Sequence, residues 1–88
     1  MKAPADLFEQ VYTEKFFISL LPKVGGKEKA IELDFSECNA VSSYTIARLI
    51  AFQKQVEDAG GKLSLIRVSH SLKEMFKIMH LHEILTIS

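Results

Sequence analysis

The chain of 88 residues has one cysteine, no net charge and no long apolar run, and each shortage excludes a class of protein. The single cysteine, Cys38, cannot form a disulfide within the chain, so we expect a reducing compartment and a cytoplasmic protein. Eleven basic residues balance eleven acidic ones, whereas nucleic-acid-binding modules carry a basic face. No apolar run approaches the ~20 residues that span a bilayer. We therefore predict neither a nucleic-acid partner nor a membrane-embedded chain.

Residues that perform chemistry are also few. His80 and His82 flank Leu81, with His70 upstream, but a metal site needs three or four ligands that converge, and the sequence offers no further ligand at a recognisable spacing except Glu83. The two Gly-Gly pairs follow predicted helices and read as helix stops, not as a phosphate-binding loop. No nucleophile and base can be paired. We predict no metal site, no cofactor and no enzymatic activity.

The hydrophobic pattern predicts one domain, residues 1–88, in which strands and helices alternate. Residues 1–12 are a short N-terminal segment, with an edge strand over residues 7–12 that places Phe8 and Tyr12 on one side. Thr13 is predicted to cap the first helix. The later elements, each recognised by its apolar period and its end signals, are predicted as a strand at 30–35, a helix at 44–59, a strand at 63–68, a helix begun by a capping box of Ser71 and Glu74, and a strand at 84–87.

Alternation of this kind is typical of βαβ units, in which helices pack on a sheet. Binding sites in such sheets lie beyond the carboxyl ends of the strands. Ser42 and Ser43 follow the strand at residues 30–35 and precede the long helix, so we expect both serines at that edge. A hydroxyl there can cap the helix or be presented to a partner, and the sequence leaves both roles open for each serine.

Several segments in this order resemble the STAS domain family, which includes the bacterial anti-sigma factor antagonists. They are Ile31–Glu37, Ser42-Ser43, Ala59–Leu65, Val68-Ser69 and Met79–Leu81, and the resemblance covers residues 13–87. The resemblance implies an α/β fold, a small domain with a sheet of about four strands in mixed directions and helices packed mainly on one face.

The resemblance also implies a function. Antagonists of this family bind an anti-sigma factor with kinase activity until one serine is phosphorylated. The usual motif, Asp-Ser-Ser/Thr-Gly, falls on Ser42, Ser43, Tyr44 and Thr45. Ser43 is then the phosphoacceptor and Ser42 the alternative, while the acid and the glycine of the motif are replaced.

The surface expected to bind the partner surrounds this serine and comprises Asn39, Ala40, Ser42, Ser43, Tyr44, Arg48 and Phe52. Phe52 lies at the edge of the helix's apolar stripe, so it is either an exposed contact or a core residue. The expected partner is an anti-sigma factor or a serine kinase-like protein, with a phosphatase in addition. The alternative function is that of a phosphorylation-independent scaffold subunit in a larger complex, in lipid transport or a sensory assembly.

Family members usually place two strands before the first helix, and only twelve residues precede Thr13 here. A missing strand would leave a sheet edge uncovered, and we expect that edge to be able to form a homodimer.

Overall fold

The computed structural model describes residues 1–27 and 29–88. Within these residues the chain forms five short strands and three helices, joined by turns and by two 3-10 segments at Leu21–Lys23 and Leu81–Glu83. The strands and helices, in chain order, are β1 Asp6–Leu7, α1 Gln10–Leu20, β2 Ala30–Asp34, β3 Ala40–Val41, α2 Ser43–Asp58, β4 Lys62–Ile66, α3 His70–Ile78 and β5 Thr86–Ile87.

The strands form a three-stranded sheet in the order β2-β4-β5 and a separate pair, β1 with β3. Every pairing between these strands is parallel, and β2 pairs with β4 over its whole length, with Leu33 opposite Leu65. Parallel neighbours need a crossover, which α2 and α3 supply. The predicted α/β class is confirmed, but the prediction of about four strands in mixed directions differs from these five parallel ones.

The N-terminal strand is shorter than predicted, and α1 begins earlier. The backbone N–H of Phe8 donates to Oδ1 of Asp6 over 2.7 Å, a local turn that ends β1 after Leu7. The prediction of a strand over residues 7–12 is therefore wrong, because α1 already starts at Gln10. Thr13 is not its cap either, since it lies inside the helix and is fully buried.

The capping residue of α3 also differs from the prediction. Ser69, in extended conformation, accepts a hydrogen bond at Oγ from the N–H of Leu72 over 3.3 Å. Ser69, two residues before Ser71, is therefore the N-cap, because its side chain accepts from an N–H group in the first turn. The predicted capping box of Ser71 and Glu74 is wrong because both residues already lie within α3.

The N-terminal residues run beside β2. The N–H of Ala3 donates to the carbonyl of Asp34 over 2.7 Å, and the N–H of Asp34 donates to the carbonyl of Met1 over 2.8 Å. Residues 1–3 therefore cover the outer edge of β2 at its carboxyl end. A homodimer through an uncovered sheet edge stays a prediction. Ala3 itself is buried in the core.

The core lies between the sheet and the helices. Its largest fully buried side chains are Phe17, Phe35, Phe52 and Phe76. Leucines from both strands and helices complete it. Within residues 1–27 and 29–88, no helix has the length and apolarity to cross a membrane.

Gly61 provides a test of the turn from α2 into β4. A Cβ at this position would lie 2.6 Å from the carbonyl oxygen of Lys29 and 3.1 Å from Cγ1 of Val56. We expect Gly61→Ala to lower the free energy of unfolding by about 2 kcal/mol, because backbone atoms would have to move. Urea denaturation followed by circular dichroism measures this loss.

Gly26→Ala is the matched control for that measurement. Its Cβ would meet nothing closer than the carbonyl of Lys23 at 3.4 Å, so stability should change by no more than about 0.5 kcal/mol. Equal stabilities of the two variants would contradict the close approach at Gly61.

Candidate partner-binding site

Two buried hydroxyls hold the start of α2 against the N-terminal segment. Oγ1 of Thr45 donates to the carbonyl oxygen of Leu7, and Oγ1 of Thr13 lies 2.7 Å from the same oxygen. The two hydroxyls are 3.3 Å apart, and both threonines have no solvent exposure. This cluster joins β1, α1 and α2 through a single carbonyl group.

The two serines at the start of α2 have different roles. Oγ of Ser42 accepts from the N–H of Thr45, and the N–H of Ser42 donates to Oγ1 of Thr45, each over 3.2 Å. This reciprocal pair is a capping box, so Ser42 is the N-cap of α2. Ser43 is the first helical residue, and its side chain is exposed to solvent.

A second cluster connects α2 to α1. The phenol of Tyr44 donates to Oε1 of Glu14, and Nε of Arg48 lies 3.1 Å from the same oxygen. Nε is buried and its N–H does not point at the carboxylate well enough for a hydrogen bond. Its contact with Glu14 is therefore an ion pair. The guanidinium also lies over the ring of Phe17, 5.2 Å from its centroid. Tyr44 and Arg48 are thus held in place at the surface.

Glu14 also determines the ionisation of Tyr44. The hydrogen bond from the phenol to the carboxylate, with the partial burial of the phenol, raises the pKa of Tyr44 above its ordinary value. The sequence did not predict this role of Glu14, because its partners Tyr44 and Arg48 lie on a different helix, and two strands separate the two helices in the chain. The one available signal was an acidic residue early in an amphipathic helix.

The predicted contact residues, Phe52 excepted, lie on the continuous segment Asn39–Arg48. Asn39 is exposed, and its N–H donates to the carbonyl of Ala5 over 2.9 Å. Ala40 lies in β3 opposite Asp6, so the N-terminal segment supports this part of the surface as well.

Phe52 does not belong to the exposed surface. Only 2% of its side chain is accessible, and its ring packs edge-to-face on that of Phe17 with centroids 5.9 Å apart. The prediction that Phe52 contacts a partner is wrong, because its side chain faces α1 and not the solvent. The core alternative is the correct one.

The carboxyl end of β2 carries a separate charged contact. Oδ1 of Asp34 accepts from the N–H of Ser36 over 2.8 Å, and Oδ2 lies 3.2 Å from Nη1 of Arg67. These hydrogen bonds, with the nearby positive charge of Arg67, lower the pKa of Asp34. In the described part of the chain, no three His, Cys, Asp or Glu side chains are grouped so that they could hold a metal ion.

The fold and the segment Asn39–Arg48 together define a small α/β domain that exposes the first residue of its longest helix. A family model described as "Mlab, STAS domain" matches residues 13–86. The chain belongs to the STAS domain family, as the sequence resemblance predicted. Members of this family are generally non-catalytic, and membership suggests a regulatory role. No curated protein and no solved structure matches the chain.

The link between Glu14 and Tyr44 can be tested by titration. The raised pKa means that the bond contributes stability below the ordinary tyrosine pKa, and that this contribution is lost as the pH rises from that value to the raised one. Glu14→Gln should therefore lower the pKa of Tyr44. Ultraviolet absorbance of tyrosinate measures it in a Tyr12→Phe background, in which Tyr44 is the remaining tyrosine.

Glu9→Gln is the control for this titration, because Glu9 is an exposed carboxylate at the N-cap of the same helix and makes no side-chain capping bond. It should leave the Tyr44 titration unchanged. A Tyr44 pKa that is insensitive to Glu14→Gln would show that the carboxylate does not accept the phenolic proton in solution.

The thiol of Cys38 gives a further test of the site's packing. Its side chain is 1% exposed, and burial raises its pKa, so little thiolate should form near neutral pH. We expect a thiol reagent to modify Cys38 at least about a hundred-fold more slowly in the folded protein than in urea. Ser36→Cys in a Cys38→Ala background, at an exposed position, should react rapidly in both states, and a fast native reaction of Cys38 would contradict the packing.

Proposed function

We propose that this protein is a non-catalytic cytoplasmic regulator that binds an anti-sigma factor or serine kinase-like protein. The proposed contact surface comprises Asn39, Ala40, Ser42, Ser43, Tyr44 and Arg48. Phosphorylation of Ser43 releases the partner, and a phosphatase restores binding. The observation that carries the proposal is the division of roles between the two serines: Ser42 caps α2, and Ser43 stands exposed beside it.

The capping role of Ser42 favours Ser43 as the phosphoacceptor. A phosphate on Ser42 would convert the capping hydroxyl, which is partly buried and lies 3.2 Å from Oγ1 of Thr45, into a bulky ester and would disturb the capping box. A phosphate on Ser43 leaves the capping box intact. Modification of Ser43 therefore changes the surface and preserves the fold beneath it.

The helix itself can accommodate a phosphate on Ser43. The first turn of α2 contains no acidic side chain, and the dipole of a helix favours negative charge at its N-terminus. A phosphoserine carries close to two negative charges at neutral pH. The cost of that charge then falls on a partner surface that fits the neutral serine, where burial or like-charge repulsion opposes binding.

The remaining contact residues are preorganised. Thr45 fixes the first turn of α2 through Leu7, and Glu14 holds Tyr44 and Arg48 in place. Side chains that are already ordered lose less conformational entropy on binding. Tyr and Arg are also the residue types that protein interfaces favour.

A second function is favoured by the replaced motif residues. Thr45 stands where the phosphorylated members have glycine, and its buried hydroxyl is committed to the fold. Ser42 replaces the acid of the motif and completes the cap without it. These roles support a phosphorylation-independent scaffold subunit of a larger complex, such as a lipid transport or sensory assembly.

Ser43→Asp separates the two functions. The partner is first captured from the protein's own cells and identified by tandem mass spectrometry, which also reads phosphate on Ser43 or Ser42. If phosphorylation of Ser43 controls binding, Ser43→Asp should weaken the partner's affinity about ten-fold or more, because an introduced carboxylate partly mimics the phosphate. Isothermal titration calorimetry with the isolated partner measures the change.

Ser71→Asp is the matched control, because Ser71 is an exposed serine in the first turn of α3. It introduces the same charge at a similar helical position away from the contact surface, and affinity should not change. If Ser43→Asp binds as tightly as the unmodified protein, phosphorylation switching is rejected and the constitutive subunit remains.

A further inference from the structure

Phe8 is an exposed aromatic residue in the turn that joins β1 to α1. Its side chain is 60% exposed, whereas the other five phenylalanines of the chain are 7% exposed or less. Exposure alone does not identify a binding residue, because single apolar side chains are common on protein surfaces. The position of Phe8 and the rigidity of its backbone carry the inference.

The backbone of Phe8 lies beside the start of α2. Leu7 pairs with Val41 in the parallel register of β1 and β3, and the residues that follow these two are Phe8 and Ser42. The carbonyl group that links Leu7 to Phe8 also accepts the hydroxyl of Thr45, in the first turn of α2. Phe8 therefore adjoins the proposed contact surface, although it is far from that surface in sequence.

Hydrogen bonds fix the backbone on both sides of Phe8. The N–H of Phe8 donates to Oδ1 of Asp6 over 2.7 Å. Oγ1 of Thr13 lies 2.7 Å from the carbonyl oxygen of Leu7 and 3.0 Å from that of Glu9. A side chain on an ordered backbone loses less conformational entropy when a partner covers it than one on a flexible loop.

We propose that Phe8 is the aromatic anchor of the contact surface and enters an apolar pocket of the partner protein beside Ser43. The proposal rests on the proposed function, from which it takes the partner and the contact surface. A few side chains that fill pockets provide most of the binding energy of protein interfaces, and aromatic residues are enriched among interface residues. Phe8 thus takes the role that the sequence assigned to Phe52.

The charges beside Phe8 favour a protein partner over a lipid surface. Asp6 and Glu9, which flank the turn, are exposed carboxylates. Side chains that hold a protein on anionic lipid are Lys and Arg beside the apolar residue, and carboxylates oppose such binding. A protein interface instead surrounds an apolar centre with a polar rim, which accommodates both acids.

An apolar pocket beside Ser43 also gives a physical reason for release by phosphorylation. When the ring of Phe8 enters the pocket, water leaves the adjoining surface. A phosphate on Ser43 then loses hydration, and a buried charge is costly unless an opposite charge meets it. The residues three and four positions after Ser43 are Ile46 and Ala47, so this face of α2 supplies no basic side chain to the phosphate.

Phe8→Ser tests the anchor. The probe is the purified partner protein that the unmodified chain captures from its own cells, the same protein used for Ser43→Asp. Isothermal titration calorimetry should show an affinity at least about ten-fold weaker, because an anchor of this kind is lost. Phe8→Leu keeps an apolar side chain and should lose less. The urea midpoint of both variants should stay unchanged, since the ring lies outside the core.

Ile78→Ser is the matched control, because Ile78 is 77% exposed on α3, away from the contact surface. It removes an exposed apolar side chain and should bind the partner like the unmodified protein. A loss of less than ten-fold for Phe8→Ser would overturn the proposal, as would an equal loss for Ile78→Ser.

Ser43→Arg separates a failure of the anchor from a failure of the contact surface. A long side chain at this position obstructs a partner that covers Ser43, whichever residue anchors it. If Ser43→Arg weakens binding and Phe8→Ser does not, the contact surface stands and the anchor is rejected. If Phe8→Ser weakens binding and Ser43→Arg does not, the pocket is not beside Ser43, and both the proposal and the contact surface are rejected.

Discussion

The buried carbonyl oxygen of Leu7 is the group on which the geometry of the candidate site depends. It receives the hydroxyl of Thr45 and lies within hydrogen-bond distance of Thr13, and neither threonine is exposed. A buried polar group without a partner costs about 1–3 kcal/mol, so these three groups favour one arrangement strongly. That arrangement fixes the first turn of α2 relative to β1 and α1.

This cluster also explains why the serine motif differs from the usual family pattern. Thr45 cannot be replaced by glycine here without removing hydroxyl contacts to Leu7 and Ser42. Tyr44, at the preceding position, reaches Glu14 and shares that carboxylate with Arg48. The side chains of the motif therefore stabilise the contact between α1 and α2, and Ser43 is the position in it with an exposed side chain.

The sequence predicts the helices and strands whose apolar residues recur at a regular spacing. It does not predict an element boundary or a burial that depends on a single contact. The apolar period located α2 and the two main strands within a residue or two, and the order of segments identified the family. The turn made by Asp6 and the cap made by Ser69 are single hydrogen bonds that compete with equally plausible signals nearby. The burial of Phe52 depends on how α2 is rotated against α1, which the pattern of one helix does not contain.

The parallel pairing of β1 with β3 has a consequence for local unfolding. Thr45 and Leu7 are 38 residues apart in sequence, so their contact closes a long loop and ties the N-terminal segment to the start of α2. The first turn of α2 can therefore open only when residues 1–7 release it, because Leu7, Thr13 and Thr45 are fully buried together. The first turn of α2, which carries Ser43, should then unfold locally as one cooperative unit with residues 1–7.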